Sequence, residues 1–196
     1  MAIGRFVSRG GEKLEGALDH FKINVEGMIC LDAGASTGGF TDCLLQRNVS
    51  KVYAVDTAYG ELAWKLRNDK RVTVLERTNL LYGVKPLDET GEKVDLVAVD
   101  LGWTKLHLAI PKILEYLKPG GSIVALIKPQ YEFGVSQKGG GNVESKGVLT
   151  EDYAYIVASK VRGKLQEMGL LTSELFASPV KGEGGNQEYF VVLKKQ

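Results

Sequence analysis

A glycine-rich segment near the start of the chain has residue types and spacing that suit ligand binding. It runs from Asp32 to Gly39 as Asp-Ala-Gly-Ala-Ser-Thr-Gly-Gly and directly follows the apolar run 28–31. Its glycines (Gly34, Gly38 and Gly39) would let backbone N–H groups approach a ligand, and a helix beginning near Phe40 would add positive potential. Because the segment has neither GxGxxG spacing nor a GxxxxGK[ST] lysine, a pyrophosphate site is the weaker interpretation. A zwitterionic amino-acid group fits better, because a carboxylate can attract its ammonium while backbone donors bind its carboxylate.

Polar residues also end the next two apolar runs. Asp56 follows the run 51–55, and Asn79 closes the Glu-Arg-Thr-Asn segment after the run 71–75. An acidic residue at the end of a second strand can accept hydrogen bonds from ribose hydroxyls, in a dinucleotide or in S-adenosylmethionine. Asp56 alone could equally be a helix cap. Together with the glycine-rich segment, these residues favour a nucleoside cofactor, and S-adenosylmethionine in particular.

The apolar pattern indicates an α/β fold with a doubly wound, mostly parallel sheet. Short, near-continuous apolar runs are typical of strands covered on both faces, and amphipathic stretches between them predict helices. The predicted strands are 28–31, 51–55, 71–75, 95–99, 122–127 and 188–193, with a weaker run at 170–176. The predicted helices are 8–21 (with its apolar face in 12–21), 106–117 and 151–168. No linker or repeat interrupts the pattern, so we expect a single domain over 1–196.

Helix-end signals refine two of these elements. Thr150 is the expected N-cap of the last helix, and Gly169 can end that helix in a left-handed conformation. Pro111 fits the first turn of a helix better than its middle, so the helix predicted at 106–117 is expected to start later than its apolar pattern suggests. The segment 134–147 has no apolar periodicity and is a candidate for a flexible flap.

Composition excludes several classes of protein. Lys and Arg total 25 against 24 acidic residues, so the chain is not generally basic, although a local basic patch is compatible with that sum. The absence of a long apolar run or a signal core predicts a cytoplasmic protein with no membrane span. Cys30 and Cys43 are expected to be buried, reduced thiols. A metal site is not expected, because His20 and His107 are the only histidines.

Seven ordered segments give the chain a specific resemblance. They are 8–14 (Ser-Arg-Gly-Gly-Glu-Lys-Leu), 31–42, 56–64, 76–79, 100–103 (Asp-Leu-Gly-Trp), 128–132 (Lys-Pro-Gln-Tyr-Glu) and 185–189 (Gly-Asn-Gln-Glu-Tyr). The chain resembles, over essentially its whole length, the FtsJ-like 2′-O-ribose RNA methyltransferases, and among them the TlyA group. Members of that group are named as haemolysins and known as ribosomal RNA methyltransferases. The resemblance implies a Rossmann-like S-adenosylmethionine-dependent methyltransferase fold with an antiparallel last strand.

The resemblance also implies a catalytic Lys-Asp-Lys-Glu tetrad. The matching positions are Lys13, Asp100, Lys128 and Glu188. Lys128 would be the general base, Asp100 and Glu188 would orient it, Lys13 would be a positioning cation, and Asp100 would also contact the cofactor. A base must be a neutral amine, against an ordinary lysine pKa of about 10.4. Burial, Lys13 and a sulfonium would lower that pKa while the two carboxylates raise it, so a charged Lys128 that stabilises a developing alkoxide is the competing role.

RNA is the implied partner, and the sequence departs from the family at two places. Gly102-Trp103 stands where TlyA-type proteins usually have Ser-Phe, so Trp103 keeps an aromatic ring for base stacking but the hydroxyl is lost. The small RNA-binding domain that usually precedes the Ser-Arg-Gly motif is not part of this sequence, so we expect it either to be absent from the protein or to have been left out of the sequence. RNA would then be contacted by Arg5, Arg9 and Trp103, with Lys13, Lys138 and Lys146 adding positive charge, and we expect weak, salt-sensitive binding.

The alternatives to an RNA methyltransferase are a non-catalytic RNA-binding or cofactor-sensing module and a membrane-active haemolysin. The last has no support from any long apolar run.

Overall fold

A computed structural model describes residues 4–132, 148–182 and 184–195. The predicted flap 134–147, with Lys138 and Lys146, lies outside the described residues. The helices are α1 Gly10–His20, α2 Gly39–Gln46, α3 Trp64–Arg67, α4 Lys85–Thr90, α5 Leu106–Tyr116, α6 Pro129–Glu132 and α7 Glu151–Glu167. The strands are β1 Ile29–Ala33, β2 Lys51–Val55, β3 Val72–Leu75, β4 Val94–Val99, β5 Leu117–Ile127, β6 Leu170–Thr172, β7 Phe176–Ala177 and β8 Tyr189–Lys195. A short 3₁₀ turn, Leu80–Tyr82, lies between β3 and α4.

The strands form one mixed sheet with the order β3-β2-β1-β4-β5-β8-β6, and β7 also pairs with β8. Strands β1 to β5 are parallel, whereas β8 runs antiparallel to β5 and to β6. The strand order reverses at β1, whose neighbours are β2 and β4. In such a sheet, ligands bind beyond the carboxyl ends of the strands at this point of reversal. The predicted fold, including the antiparallel last strand, is confirmed.

Apolar side chains cover both faces of the sheet, which explains the near-continuous apolar runs. One face packs against α5 and α7 through residues such as Ile110 and Ala158, and the other packs against α1 and α2 through residues such as Leu14 and Leu44. The predicted buried thiols are confirmed, because Cys30 and Cys43 are free and buried, and burial raises the pKa of each to about 12. Within the described ranges, no helix is long and apolar enough to cross a bilayer.

Two predicted helix ends are confirmed and one prediction about a helix is wrong. Thr150 caps α7 by accepting a hydrogen bond from the Tyr153 backbone N–H, and Gly169 has a φ of +83°. Helix α5, however, begins at Leu106 and contains Pro111 in its second turn. Proline in a helix interior costs roughly 3 kcal/mol, but Ile110 and Ile113 on the same helix are completely buried. Burial of each such side chain is worth about 1.5–3 kcal/mol, so the apolar face outweighs the proline.

Several bounds also differ from the predicted ones. The weak run at 170–176 forms two short strands, β6 and β7, rather than one. Strand β5 begins at Leu117, immediately after α5, and its pairing with β4 shifts register between Val94 and Leu96. This irregularity lengthens β5 at its amino end, away from the ligand-binding edge.

Candidate functional site

Two adjoining cavities lie at the carboxyl edge of the parallel strands. The smaller has a volume of about 230 Å³ and lies beside α1, and the larger has a volume of about 540 Å³ and lies beside the loops that follow β2 and β3. The smaller cavity is lined by Ser8, Arg9, Gly10, Lys13, Ala35, Thr37, Gly39, Phe40, Gln130, Tyr131 and Glu188, besides shared residues. The larger is lined chiefly by Asp56, Thr57, Ala58, Glu61, Thr78, Asn79, Leu101, Gly102 and Trp103.

Four residues line both cavities: Gly34, Ser36, Asp100 and Lys128. The β1 and β4 ends are close together here, because the Asp100 backbone N–H donates to the Ala33 carbonyl over 2.9 Å. Gly34 has a φ of +93°, and a Cβ at this position would lie 2.3 Å from the Asp100 carbonyl oxygen. Only glycine therefore allows the loop after β1 to pass so close to Asp100, which fixes the shared wall of the two cavities.

The tetrad suggested by the sequence is brought together as two ion pairs. Lys13 Nζ lies 2.6 Å from Glu188 Oε2, and both side chains are almost fully buried. Lys128 Nζ forms a close ion pair with Asp100 Oδ1. All four residues line the smaller cavity although they come from α1, the ends of β4 and β5, and the start of β8. The sequence separates Lys13 from Glu188 by almost the whole chain, so only the fold brings them together.

Close backbone packing brings α1 to the site. Gly39, at the start of α2, is so near α1 that a Cβ there would lie 2.4 Å from Ser8 Oγ and 2.8 Å from the Gly11 backbone nitrogen. The segment before α1 is anchored by the Val7 N–H, which donates to the buried Asp42 carboxylate over 2.8 Å. Small residues at these positions therefore allow α1 to place Lys13 beside the loop after β1.

In the larger cavity, Asp56 is held by backbone donors. Its Oδ2 accepts from the Ser36 N–H over 2.7 Å and its Oδ1 accepts from the Ala58 N–H over 2.8 Å. Carboxylate oxygens have further lone pairs, so Asp56 can still accept hydrogen bonds from a ligand in the cavity. Glu61 accepts from Ser36 Oγ over 3.1 Å and is a second carboxylate on the same wall.

Asp32 and Gly38 line neither cavity, unlike the other members of the predicted cofactor set. Asp32 is completely buried, and its Oδ2 accepts from Thr41 Oγ1 over 2.6 Å. Gly38 is the N-cap residue of α2 and has a left-handed conformation, and a Cβ there would collide with the Leu66 side chain at 2.2 Å. Both residues therefore shape the loop from behind. A direct contact between Asp32 and a ligand ammonium is not supported by this burial.

Three carboxyl groups stand close together at this edge of the sheet. Asp32, Asp56 and Asp100 stand at or just after the carboxyl ends of the neighbouring strands β1, β2 and β4. The pKa of Asp32 is raised to about 7, chiefly by burial and to a smaller extent by the nearby Asp100 and Asp56, while the hydrogen bond from Thr41 lowers it. Such a site favours a ligand that carries positive charge, because a cation relieves the repulsion among the carboxylates.

We expect Asp32→Asn to flatten the pH dependence of stability. A raised carboxyl pKa means that the folded state holds its proton more tightly than the unfolded state. The contribution of Asp32 to stability is therefore complete below pH 4 and is lost as the pH rises towards 7, by about 4 kcal/mol in total. The free energy of unfolding of the ligand-free protein, measured by urea titration from pH 4 to 8, should fall by this amount relative to the variant. Parallel profiles for the two proteins would contradict the expectation.

The three predicted RNA contacts occupy different positions. Arg9 lines the smaller cavity, and Trp103 lines the larger one with a highly exposed ring that packs on Tyr131 at 5.1 Å between centroids. Arg5 lines neither cavity and forms an ion pair with Glu15 at 2.7 Å. Part of its charge is thereby offset, so Arg5 is the weakest of the three candidates.

Sequence reasoning missed Gln130, which lines the smaller cavity, and Glu132, which ties two neighbouring loops together. Gln130 Nε2 donates to Glu188 Oε1 over 3.3 Å, so it helps to hold the carboxylate that Lys13 binds. Glu132 accepts from the Leu106 N–H over 2.8 Å and thus caps α5, which ties the loop after β4 to the loop after β5. Their signal was present in the segment Lys-Pro-Gln-Tyr-Glu, but that segment does not show which side chains turn towards the site.

This sheet order and the ligand-binding edge at β1 define an S-adenosylmethionine-dependent methyltransferase fold. Comparison with a solved methyltransferase from Listeria monocytogenes supports this class at the level of fold, with a TM-score of 0.66 at 14% identity over 96% of this chain and all of the other. The chain belongs to the FtsJ-like methyltransferase family, whose pattern it matches over residues 6–195.

Individual relatives agree with this assignment. The chain is 46% identical over 191 residues to the 16S/23S rRNA (cytidine-2′-O)-methyltransferase TlyA of Mycobacterium tuberculosis. The matched region covers 97% of this chain and 69% of the relative. It is 39% identical to Hemolysin A of Brachyspira hyodysenteriae, over 94% of this chain and 75% of the relative. A solved hemolysin-named protein from Streptococcus thermophilus superposes with a TM-score of 0.88 at 40% identity, covering 98% of this chain and 68% of the other.

Proposed function

We propose that this chain transfers the methyl group of S-adenosylmethionine to a ribose 2′-hydroxyl of RNA. The observation that carries the proposal is the shared wall of the two cavities, where Asp100 and Lys128 face both spaces. A cofactor in the larger cavity and an acceptor in the smaller one would meet at this wall. Membership of the FtsJ-like family supports the reaction class.

The larger cavity suits the nucleoside part of the cofactor. Its volume of about 540 Å³ is in the range of small-molecule sites, and Asp56, Glu61 and Asn79 provide acceptors and donors for ribose hydroxyls and a base edge. When bound, the cofactor supplies a methyl group on a positively charged sulfonium. The negative charge of Asp56 and Asp100, reinforced from behind by Asp32, favours that cation.

In the smaller cavity, we assign the removal of the acceptor proton to Lys128. Attack by a ribose hydroxyl on a sulfonium methyl is an in-line displacement, so alignment lowers the barrier and the hydroxyl must lose its proton as the new C–O bond forms. Asp100 holds the Lys128 side chain at the shared wall. As a base, Lys128 takes the hydroxyl proton in its neutral amine form, and the ammonium that results is paired with Asp100. Lys13 is bound to Glu188, and Gln130 donates to the second oxygen of Glu188, so this ion pair has a fixed place in the wall of the smaller cavity. In this arrangement Lys13 and Glu188 position the acceptor and do not exchange protons with it.

Ribosomal RNA is the substrate we infer within this class. The support is the name of the Mycobacterium tuberculosis relative, a 16S/23S rRNA (cytidine-2′-O)-methyltransferase, and that of a Campylobacter jejuni relative, a 23S rRNA (cytidine-2′-O)-methyltransferase that is 31% identical over 94% of this chain. The same inference places the protein in the cytoplasm, with ribosomal RNA or ribosomal subunits as partner. Arg9 and Trp103 are the side chains we expect to contact the RNA.

Transfer of a labelled methyl group into ribosomal subunits tests the proposal. We expect label in RNA, located at ribose 2′-oxygens by resistance of the modified linkage to alkaline hydrolysis. Calorimetric titration with S-adenosylmethionine in parallel separates an enzyme from a non-catalytic RNA-binding or cofactor-sensing module. Cofactor binding without methyl transfer to subunits or to free ribosomal RNA would contradict the proposal, and release of dye from liposomes at the same protein concentration would favour a membrane activity instead.

A further inference from the structure

The most exposed large apolar side chains among the described residues share one place in the fold. Tyr82, Trp103, Trp64 and Tyr59 are 89%, 88%, 79% and 69% exposed. All four are aromatic and lie in the segments that follow β2, β3 and β4, with Trp64 at the start of α3 and Tyr82 at the end of the 3₁₀ turn. Single exposed apolar residues are ordinary, but a cluster of exposed rings at one edge marks an interaction surface.

Three of these rings stand on two segments that are joined by hydrogen bonds. The loops after β2 and β3 are joined by backbone hydrogen bonds from the Arg77 N–H to the Ala58 carbonyl (3.1 Å) and from the Thr78 N–H to the Asp56 carbonyl (2.9 Å). The Gly60 N–H also donates to Glu76 over 2.9 Å, and Glu76 forms an ion pair with Arg67 of α3. The segments that carry the rings of Tyr59, Trp64 and Tyr82 are therefore held to one another by hydrogen bonds and an ion pair. We call these three rings the aromatic rim.

Positive charge accompanies the aromatic rim. The Arg77 guanidinium lies over the Tyr59 ring at 4.1 Å from its centroid, and Arg77 is exposed and forms no ion pair with any described residue. Among the nearby acidic side chains, Glu76 binds Arg67, whereas Asp56 and Glu61 line the larger cavity, where they accept hydrogen bonds from Ser36. A partner with flat apolar faces and negative charge between them matches this combination of rings and an unpaired guanidinium.

We propose that the aromatic rim stacks the unpaired nucleotides of the RNA that flank the modified one. The proposal rests on the proposed function, because it takes RNA as the substrate and adds a requirement for a single-stranded region. Unpaired bases expose their faces to aromatic rings and arginine, whereas paired bases are stacked inside the duplex. The rim begins next to the larger cavity, which Ala58, Leu80 and Leu81 line beside Tyr59 and Tyr82. Bases stacked on it would thus hold the RNA strand across the mouth of the site.

The test compares the binding of a labelled hairpin RNA with an unpaired loop and that of a fully paired duplex of similar composition. Loss of a stacking ring weakens RNA binding by about 5- to 100-fold per base, so Trp64→Ala and Tyr82→Ala should each lower hairpin affinity by that amount. Trp64→Phe and Tyr82→Phe keep a ring and should bind within a few-fold of the wild type. Tyr155→Ala removes a half-exposed ring from α7, outside the rim, and is the matched control. None of these variants should change S-adenosylmethionine affinity.

Tryptophan fluorescence gives a second, independent measurement. Trp64 and Trp103 are the only two tryptophans in the chain, so Trp103→Phe leaves Trp64 as the sole reporter. Hairpin RNA should quench it, and duplex RNA should do so weakly.

Unchanged hairpin affinity in both alanine variants would overturn the proposal. The proposal would also be overturned if the alanine variants changed self-association and left RNA affinity intact, since the rim would then contact protein. Failure of the wild type to bind the hairpin would overturn it as well. Binding of RNA without methyl transfer would count against the proposed function but not against the rim.

Discussion

Replacing Lys128 with alanine is expected to lower the rate of methyl transfer by about 100- to 10,000-fold, the usual contribution of a general base. The cofactor affinity should not fall, because removal of the ammonium leaves Asp100 unpaired at the shared wall and increases the negative charge that favours a sulfonium. The effect should therefore be on kcat and not on cofactor binding. Single-turnover transfer at saturating RNA, with calorimetry for the cofactor, measures the two quantities separately.

Two further variants sharpen this test. Lys118, also on β5, pairs with Asp95 of β4 at 2.8 Å at the opposite end of the sheet, so Lys118→Ala removes a similar ion pair far from the site and should leave the rate unchanged. Lys128→Arg keeps a cation that cannot release its proton near neutral pH. Recovery of most of the activity in that variant would show that Lys128 stabilises a developing alkoxide and would contradict the role of base. Full turnover in Lys128→Ala would contradict both roles.

Replacing Lys13 with methionine should destabilise the fold as well as reduce activity. Glu188 is only 2% exposed, and the variant leaves it buried with a single weak donor from Gln130 at 3.3 Å. Removal of one partner of a buried ion pair costs roughly 3–5 kcal/mol. Urea unfolding should show this loss, whereas Lys85→Met, which removes an exposed pair with Glu89, should change stability little.

The double variant Lys13→Met with Glu188→Gln separates stability from catalysis. With both charges removed, most of the lost stability should return, because a buried ion pair replaced by neutral groups is often close to neutral in energy. The rate of methyl transfer should remain low, since the wall of the smaller cavity has lost the two charges that position the acceptor. If activity returned together with stability, Lys13 and Glu188 would have only a structural role.

The sequence predicted those parts of the fold that depend on local pattern. The apolar runs predicted the central strands because both faces of the sheet are covered, and the caps at Thr150 and Gly169 act through neighbours a few residues away. Pro111 was misjudged because its cost is local while the compensating burial of Ile110 and Ile113 arises from packing against the sheet. The division of the run at 170–176 into two strands likewise depends on pairing with β8.

For the site, the glycine-rich segment from Asp32 to Gly39 was recognisable from residue types alone, because close approach of backbone to ligand requires glycine at defined places. The tertiary structure determines which of its members face the ligand. Gly34 forms part of the shared wall of the cavities, whereas Asp32 and Gly38 lie behind that wall. The pairing of Lys13 with Glu188 depends on elements far apart in the chain that meet at one edge of the sheet, and the aromatic rim depends on hydrogen bonds that join the segments after β2 and β3. Residue types determine which chemistry is possible, but distance and burial, which only the folded chain sets, decide which side chains act together.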